Sequence, residues 1–170
     1  MKKVLLILSI LFILNNCGGF EFVYKTNIKN LLIKNTTEIK VKGDDTVDVY
    51  VSLIDIFGKT DNDFPKFRLS VNSVKTESAA VISKDATATK FNIQYLISYD
   101  LYNLYKNCSI AQKEITTVSS YSVKSAGYSF GTDLSQKETS QQIIKKNINE
   151  FIFYINTLSS LDKCTGVIKE

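Results

Sequence analysis

Three cysteines are the residues of this 170-residue chain with the clearest capacity for chemistry, because a thiol can be acylated, oxidised or bound to a metal. Cys17 follows an apolar run near the N-terminus, whereas Cys108 and Cys164 lie far along the chain. The sequence contains no histidine, which excludes Ser-His-Asp and Cys-His catalysis and histidine-ligated metals. The cysteines therefore indicate attachment or cross-linking, and we expect neither a metal nor a cofactor.

The segment before Cys17 has the features of an export signal. Its first three residues (MKK) carry positive charge, and residues 4–14 (VLLILSILFIL) form an apolar run of about 11 residues. A helix that spans a bilayer needs about 20 apolar residues, so the run is typical of a signal peptide. We predict that residues 1–16 are removed; the alternative is a short membrane anchor with an incidental cysteine.

The end of this segment resembles a lipobox, the processing site of bacterial lipoproteins. Leu14 lies three residues before Cys17 as the lipobox requires, although Asn16 stands where a small residue is usual. Acyl chains on the new N-terminal cysteine would anchor the chain, at about 0.8 kcal/mol for each buried CH₂. Gly18 in place of aspartate favours the outer membrane, by resemblance to known lipoproteins. We predict a lipid anchor at Cys17 on the periplasmic side of the outer membrane, followed by one domain, residues 17–170.

Several functions find no support in the sequence. Phosphate-binding motifs of the GxGxxG and GxxxxGK[ST] types are absent. The net charge of +4, from 21 basic and 17 acidic residues, is too small and too dispersed to indicate nucleic-acid binding. No nucleophile and base share a catalytic spacing, so we predict that the protein is not an enzyme.

The first half of the domain predicts a strand, a helix and a second strand. Thr26–Lys42 alternates between apolar and polar residues, with Glu38, Lys40 and Lys42 on the polar side. A helix over 46–57, capped by Asp44 or Asp45 and ended by Gly58, follows. Its apolar residues at helical spacing are Val47, Tyr50, Val51 and Ile54. The second strand covers 67–82, with a bulge predicted near residues 73–74.

The second half predicts two further strands and a long helix. A strand from Ala88 to about Tyr105 directs alternate residues to one side: Phe91, Ile93, Tyr95, Ile97, Tyr99 and Leu101. A turn at 106–109 precedes a strand that ends at about Lys124. The helix is predicted from a capping box at Ser135 and Glu138 to about Leu161. Its apolar stripe is Ile144, Ile148, Phe151, Ile155 and Leu158.

These elements predict an α+β fold of the order β-α-β-β-β-α. We expect a four-stranded, mostly antiparallel sheet with long strands and with both helices packed on one face. At about 3.3 Å per residue the third strand would be roughly 50–60 Å long, which is unusual for a domain of this size.

The stretch CGGFEFVY at residues 17–24 resembles the Cys-Gly-Phe-x-Pro-x-Tyr opening of mature chains in the LPS-assembly lipoprotein LptE family. Phe20 and Tyr24 keep the spacing of that motif, Gly19 is an additional residue, and Phe22 replaces the proline. The predicted order of elements is also similar to that of the family, and residues 68–103 look like its second and third strands.

The resemblance implies a partner and a ligand. Family members occupy and plug the lumen of a large β-barrel, LptD, and contact lipopolysaccharide on its way to the outer leaflet. Our candidates for contacts with lipid phosphates are strand and turn lysines, although scattered lysines usually form a solvated surface. They are Lys84, Lys90, Lys113 and Lys124. A second hypothesis is an auxiliary lipoprotein of another lipid-transport system of the ABC type.

The remaining cysteines form a candidate disulfide. Cys108 lies at a predicted turn and Cys164 follows the last helix, so the predicted topology brings both to one end of the domain. The periplasm is oxidising, which favours a bond between them. Two unpaired structural thiols are the alternative.

Overall fold

The predicted α+β fold is confirmed by a computed structural model that describes residues 33–60, 64–82, 88–123, 129–158, 160–161 and 163–165. Its elements are β1 (Thr37–Gly43), α1 (Thr46–Phe57), β2 (Phe67–Ile82), β3 (Ala88–Asn103), β4 (Cys108–Ser122) and α2 (Ser129–Thr157). The sheet has the order β1-β2-β3-β4, in which β1 is parallel to β2 and the other pairs are antiparallel. The predicted signal peptide and Cys17 lie outside the described residues.

Strand β3 is an inner strand of the sheet and supplies much of the core. The predicted alternation is confirmed over most of its length, since the side chains at 93, 95, 97, 99 and 101 are all buried. Its 16 residues correspond to about 53 Å of extended chain. The strand ends at Asn103, two residues before the predicted end, because its side-chain oxygen accepts hydrogen bonds from the backbone N–H groups of Tyr105 and Lys106, both at 3.0 Å.

Helix α2 covers the sheet through the predicted stripe. Ile144, Ile148 and Phe151 are fully buried, and the ring of Phe151 stacks on Tyr99 with centroids 4.1 Å apart. The predicted start was wrong: the helix begins at Ser129, so the predicted capping box at 135–138 lies inside it. Within the described residues, no helix combines the length and apolar character needed to cross a membrane.

A buried amide fixes α2 to the sheet. Asn147 is completely buried between Ile144 and Ile148, and its Oδ1 accepts a hydrogen bond of 2.8 Å from the Tyr99 hydroxyl. Its Nδ2 donates to the Ile115 carbonyl at 2.8 Å and to the Thr117 hydroxyl at 3.0 Å. Burial raises the pKa of Tyr99 well above its ordinary value, so the hydroxyl stays protonated as the donor. The apolar interface thus contains a satisfied polar network with one geometry.

Helix α1 has the predicted bounds but a different beginning. Gly58, with a φ of 75°, ends it by donating its N–H to the Ile54 carbonyl at 2.8 Å. The predicted side-chain cap was wrong. The backbone of Asp45 has a left-handed conformation, and its side chain makes no hydrogen bond that caps the helix. The Asp45 carboxylate instead accepts a hydrogen bond from the Tyr95 hydroxyl and pairs with Lys75 at 3.3 Å. Asp44 accepts the backbone N–H of Lys75 at 2.8 Å.

The buried side of α1 is not the one suggested by the helical spacing of apolar residues. Val49, Leu53 and Phe57 are buried, with exposed fractions of 0–1%. Val47 and Val51 are instead 73% and 52% exposed. The helix is apolar around most of its circumference, so periodicity alone could not identify the packed side.

Two strand details also differ from prediction. Residues 33–36 form a turn with Asn35 at a φ of 60°, so β1 begins at Thr37; the predicted strand residues 26–32 lie outside the described residues. The turn is held by Asn35, whose N–H donates to the Phe57 carbonyl at 2.8 Å. The β2 irregularity lies between Ala79 and Ile82, not near 73–74. It thus falls beyond the part of β2 that pairs with β1.

Cys108 and Cys164 are joined in a disulfide, with Cα atoms 5.8 Å apart. The backbone continues the contact, since the N–H of Thr165 donates to the Ser109 carbonyl at 2.9 Å. The bond therefore ties the segment after α2 to the start of β4.

Replacing the buried amide should weaken the fold. We expect Asn147→Ala to lower the free energy of unfolding by about 2–4 kcal/mol, because it leaves the Tyr99 hydroxyl and the Ile115 carbonyl without this partner. Chemical denaturation measures the loss. Asn149→Ala, half-buried on the same helix, is the control, and a change of less than about 0.5 kcal/mol for both variants would contradict the proposed role.

The disulfide gives a second stability prediction. Cys108 and Cys164 should not react with a thiol reagent in the denatured, unreduced protein, and two reactive thiols at these positions would refute the bond. Replacing both by serine should lower the free energy of unfolding by about 4 kcal/mol, because the bond closes a loop with a sequence separation of 56 residues. Reductant should destabilise the parent protein and leave the double variant unchanged.

Candidate interaction surface

The sheet has one face without a helix in the described structure. Side chains alternate between the faces, and the neighbours of the buried β3 residues point away from α1 and α2. This open face consists mainly of serine, threonine, asparagine, glutamine and charged residues. Its exposed members include Ser70, Asn72, Gln94, Gln112, Glu114 and Thr116. Two exposed valines, Val74 and Val118, also lie on this face, which is otherwise mainly polar.

Charge is segregated across the open face. The register of β1 and β2 places Glu38 opposite Arg68 and Lys40 opposite Ser70, so the cations gather on one side. Asp100 and Glu114 lie on β3 and β4, across the sheet from the cations. A groove of about 710 Å³ runs between the two sides, and its lining includes Lys40, Lys42, Arg68, Ser70, Asp100 and Glu114.

Glu38 organises the basic side. Its two carboxylate oxygens contact Arg68 Nε at 2.9 Å and Lys40 Nζ at 3.1 Å. The hydrogen bond from Arg68 is the largest cause of a lowered pKa of the Glu38 carboxyl, and Lys40 contributes in the same direction. One carboxylate thus holds two cations, which leaves the β1–β2 side with net positive charge when Lys42 is included.

The acidic side is held by short hydrogen bonds. Ser109 Oγ donates to Asp100 at 2.6 Å, and Ser98 Oγ donates to Glu114 at 2.9 Å. These contacts fix the carboxylates on β3 and β4. The surface can therefore offer ammonium and guanidinium donors to phosphate or carboxylate groups at one side and acceptors at the other. Within the described ranges, no group of three or more metal-ligating side chains occurs.

The structure separates the lysines predicted to contact lipid phosphates. Lys90 is exposed on the open face. Lys113 lies on the helix-covered side, with its Nζ 5.4 Å from the centre of the Tyr154 ring. Lys84 and Lys124 lie outside the described residues, as does Cys17. The four positions remain predictions, and Lys90 and Lys113 do not belong to one cluster.

The cluster that the structure does form was not predicted as a site. Alternation identified the polar side of β1, including Lys40 and Lys42. Arg68 joins them only because β1 and β2 are parallel and in register from Thr37–Phe67 to Gly43–Ser73. Such a pairing links residues about 30 positions apart, which local periodicity cannot detect.

Comparison with known proteins identifies the fold. No protein-family model matches the chain, and no curated protein matches it. A candidate lipoprotein from Caulobacter crescentus is 12% identical, with a TM-score of 0.55 over 72% of this chain and 89% of that one. The chain shares its fold. Two further structures match. Lipoprotein B from Nitrosomonas europaea is 10% identical, with a TM-score of 0.49 over 72% of this chain and 86% of that one. Rare lipoprotein B from Shewanella oneidensis is 10% identical, with a TM-score of 0.45 over 70% of this chain and 92% of that one.

The ion pairs of Glu38 should have a small effect that depends on pH. We expect Glu38→Gln to lower the free energy of unfolding by less than about 1 kcal/mol at pH 7, since exposed pairs contribute little. Because the folded-state pKa is lowered, the contribution is present above the carboxyl pKa of the unfolded chain and is lost as the pH falls through the folded value. Urea unfolding over a pH series measures this.

The matched control for this series is Glu138→Gln, which alters an exposed carboxylate on α2. It should show no comparable pH-dependent difference. A difference between the parent protein and Glu38→Gln that grows as the pH is lowered would contradict the assignment.

Proposed function

We propose that this protein is an outer-membrane lipoprotein that partners a large β-barrel of the LptD kind and assists the assembly and translocation of lipopolysaccharide. In this proposal Cys17 carries the acyl chains, and residues 17–170 work on the periplasmic side of the membrane. The protein has no catalytic role. It acts by binding, as a folded partner of the barrel and of the lipid.

The proposal depends on two features together: the residues after the predicted cleavage site and the architecture of the domain that follows them. The residues 17–24 resemble the start of LptE-family chains, and the domain behind them has the order β-α-β-β-β-α with strands of 15 and 16 residues. The fold shared with the candidate lipoprotein from Caulobacter crescentus supports the same interpretation.

The open face supports the choice of partner. The lumen of a large membrane barrel is polar, and a face rich in serine, threonine, asparagine and glutamine can exchange hydrogen bonds with it. The basic side of that face offers Lys40, Lys42 and Arg68 to the phosphates of a lipid. Both contacts use side chains that are held in place by the sheet.

The proposal predicts a barrel partner and a surface defect. Affinity capture of the tagged full-length protein from detergent-solubilised membranes should recover a large β-barrel, and depletion of the protein should lower surface lipopolysaccharide. Recovery of inner-membrane transport components without a barrel would favour the alternative of an auxiliary lipoprotein of an ABC-type system. Unchanged surface lipopolysaccharide after depletion would contradict the proposed function.

Charge reversal tests the surface itself. Lys40→Glu with Lys42→Glu should weaken lipopolysaccharide binding by about tenfold or more, because two cations are replaced by anions that repel the phosphates, and tenfold corresponds to only about 1.4 kcal/mol. The matched control is Lys145→Glu with Lys146→Glu, two exposed lysines on α2. Equal weakening by both pairs would indicate a general effect of net charge and would contradict a site on the open face.

A further inference from the structure

An apolar flank of α1 has no partner among the described residues. Val47, Tyr50 and Val51 are 73%, 44% and 52% exposed, and Ile54 is half-buried beside them. The four residues recur at helical spacing and so form a single stripe, which we term the α1 flank. A contiguous stripe of this kind differs from scattered exposed apolar residues, which need no explanation.

The α1 flank faces the β1 side of the domain. Helix α2 meets α1 on its other side, where Ser52, Asp55 and Ile56 border a small groove with Lys145 and Ile148. At about 100° per residue, the flank points away from both that groove and the buried side of α1. It therefore lies toward β1, the element with which α1 also packs.

Strand β1 offers backbone partners at the same place. It is the terminal strand of the sheet, and only its β2 side is paired among the described residues. Its outer edge therefore presents N–H and C=O groups over residues 39–43, whereas the carbonyl of Thr37 accepts a hydrogen bond from Thr60 Oγ1. An apolar stripe beside an open strand edge fits one kind of occupant: an extended segment with apolar side chains at alternate positions.

The chain itself supplies such a segment. In an extended segment Phe20, Phe22 and Tyr24 share one side, and Glu21 and Val23 share the other. These residues lie outside the described part of the chain.

The described part of the chain begins next to the C-terminal end of α1. Ile33 is fully buried, and the following turn is bonded to the Phe57 carbonyl at the end of α1. The eight residues 25–32 can span about 26 Å when extended, whereas α1 is about 18 Å long. Residues 20–24 can therefore reach any point along the flank.

We propose that residues 20–24 add to the outer edge of β1 as a fifth strand and cover the α1 flank with Phe20, Phe22 and Tyr24. The proposal is independent of the proposed function, because it requires neither a barrel nor a lipid. It accounts for why α1 carries apolar residues on two sides.

The absence of tryptophan from the sequence makes a specific test simple. The fluorescence measurements use a protein of residues 17–170 that carries Cys17→Ser, which removes the acylation site. Phe22→Trp should give blue-shifted emission that acrylamide quenches weakly, whereas Val23→Trp, on the opposite side of the segment, should give an exposed emission. Combining Val51→Asp with Phe22→Trp should abolish the blue shift of the tryptophan emission. The matched control, Phe153→Asp, alters an exposed phenylalanine on α2 and should leave the blue shift unchanged.

Each other result overturns the proposal. Two results would show that the segment does not cover the flank. One is equal acrylamide quenching of tryptophan at positions 22 and 23, and the other is a Phe22→Trp emission that Val51→Asp does not change. Protection that depends on protein concentration would assign the flank to a second copy. Protection that appears only with phosphatidylethanolamine–phosphatidylglycerol vesicles would assign it to a bilayer. Circular dichroism of Val51→Asp and of the milder Val51→Ser separates loss of docking from loss of the fold.

Discussion

The hydrogen bonds of Asn147 are the constraint on which the rest of the structure depends. An amide buried in an apolar interface must be satisfied, and here its partners lie on two strands: Tyr99 on β3, and Ile115 and Thr117 on β4. Apolar contacts alone would allow α2 to shift along the sheet at modest cost. The amide permits one register, and the stack of Phe151 on Tyr99 follows from it.

With α2 fixed on one face, the other face carries no helix in the described structure. The two faces differ in chemistry because residues of opposite character alternate along each strand. Parallel pairing of β1 with β2 then gathers Lys40, Lys42 and Arg68 on the open face, and Glu38 holds the cluster together. The disulfide between Cys108 and Cys164 ties the segment that follows α2 to β4, so the cover of the sheet is secured beyond the end of the helix.

Sequence patterns predicted the elements better than their contacts. The alternation of β3 and the stripe of α2 identified buried residues correctly, because each element has one apolar side and one polar side. Helix α1 has apolar residues on two sides, so the helical spacing of its apolar residues could not show which side is packed. The capping box at 135–138 was misleading because residues 129–134 continue the helix before it. The basic cluster of the candidate surface depended on Arg68, whose neighbours on β1 are distant in sequence.

The sequence by itself determined the order of elements, the inward residues of β3 and the packed stripe of α2, because these depend on side-chain period along one segment. Only the tertiary structure decided which side of α1 is buried, where the aspartates before it bond, and which charges share a face. These features depend on pairing between distant segments. Local patterns carry no information about that pairing, and burial and hydrogen-bond satisfaction across the whole sheet select it.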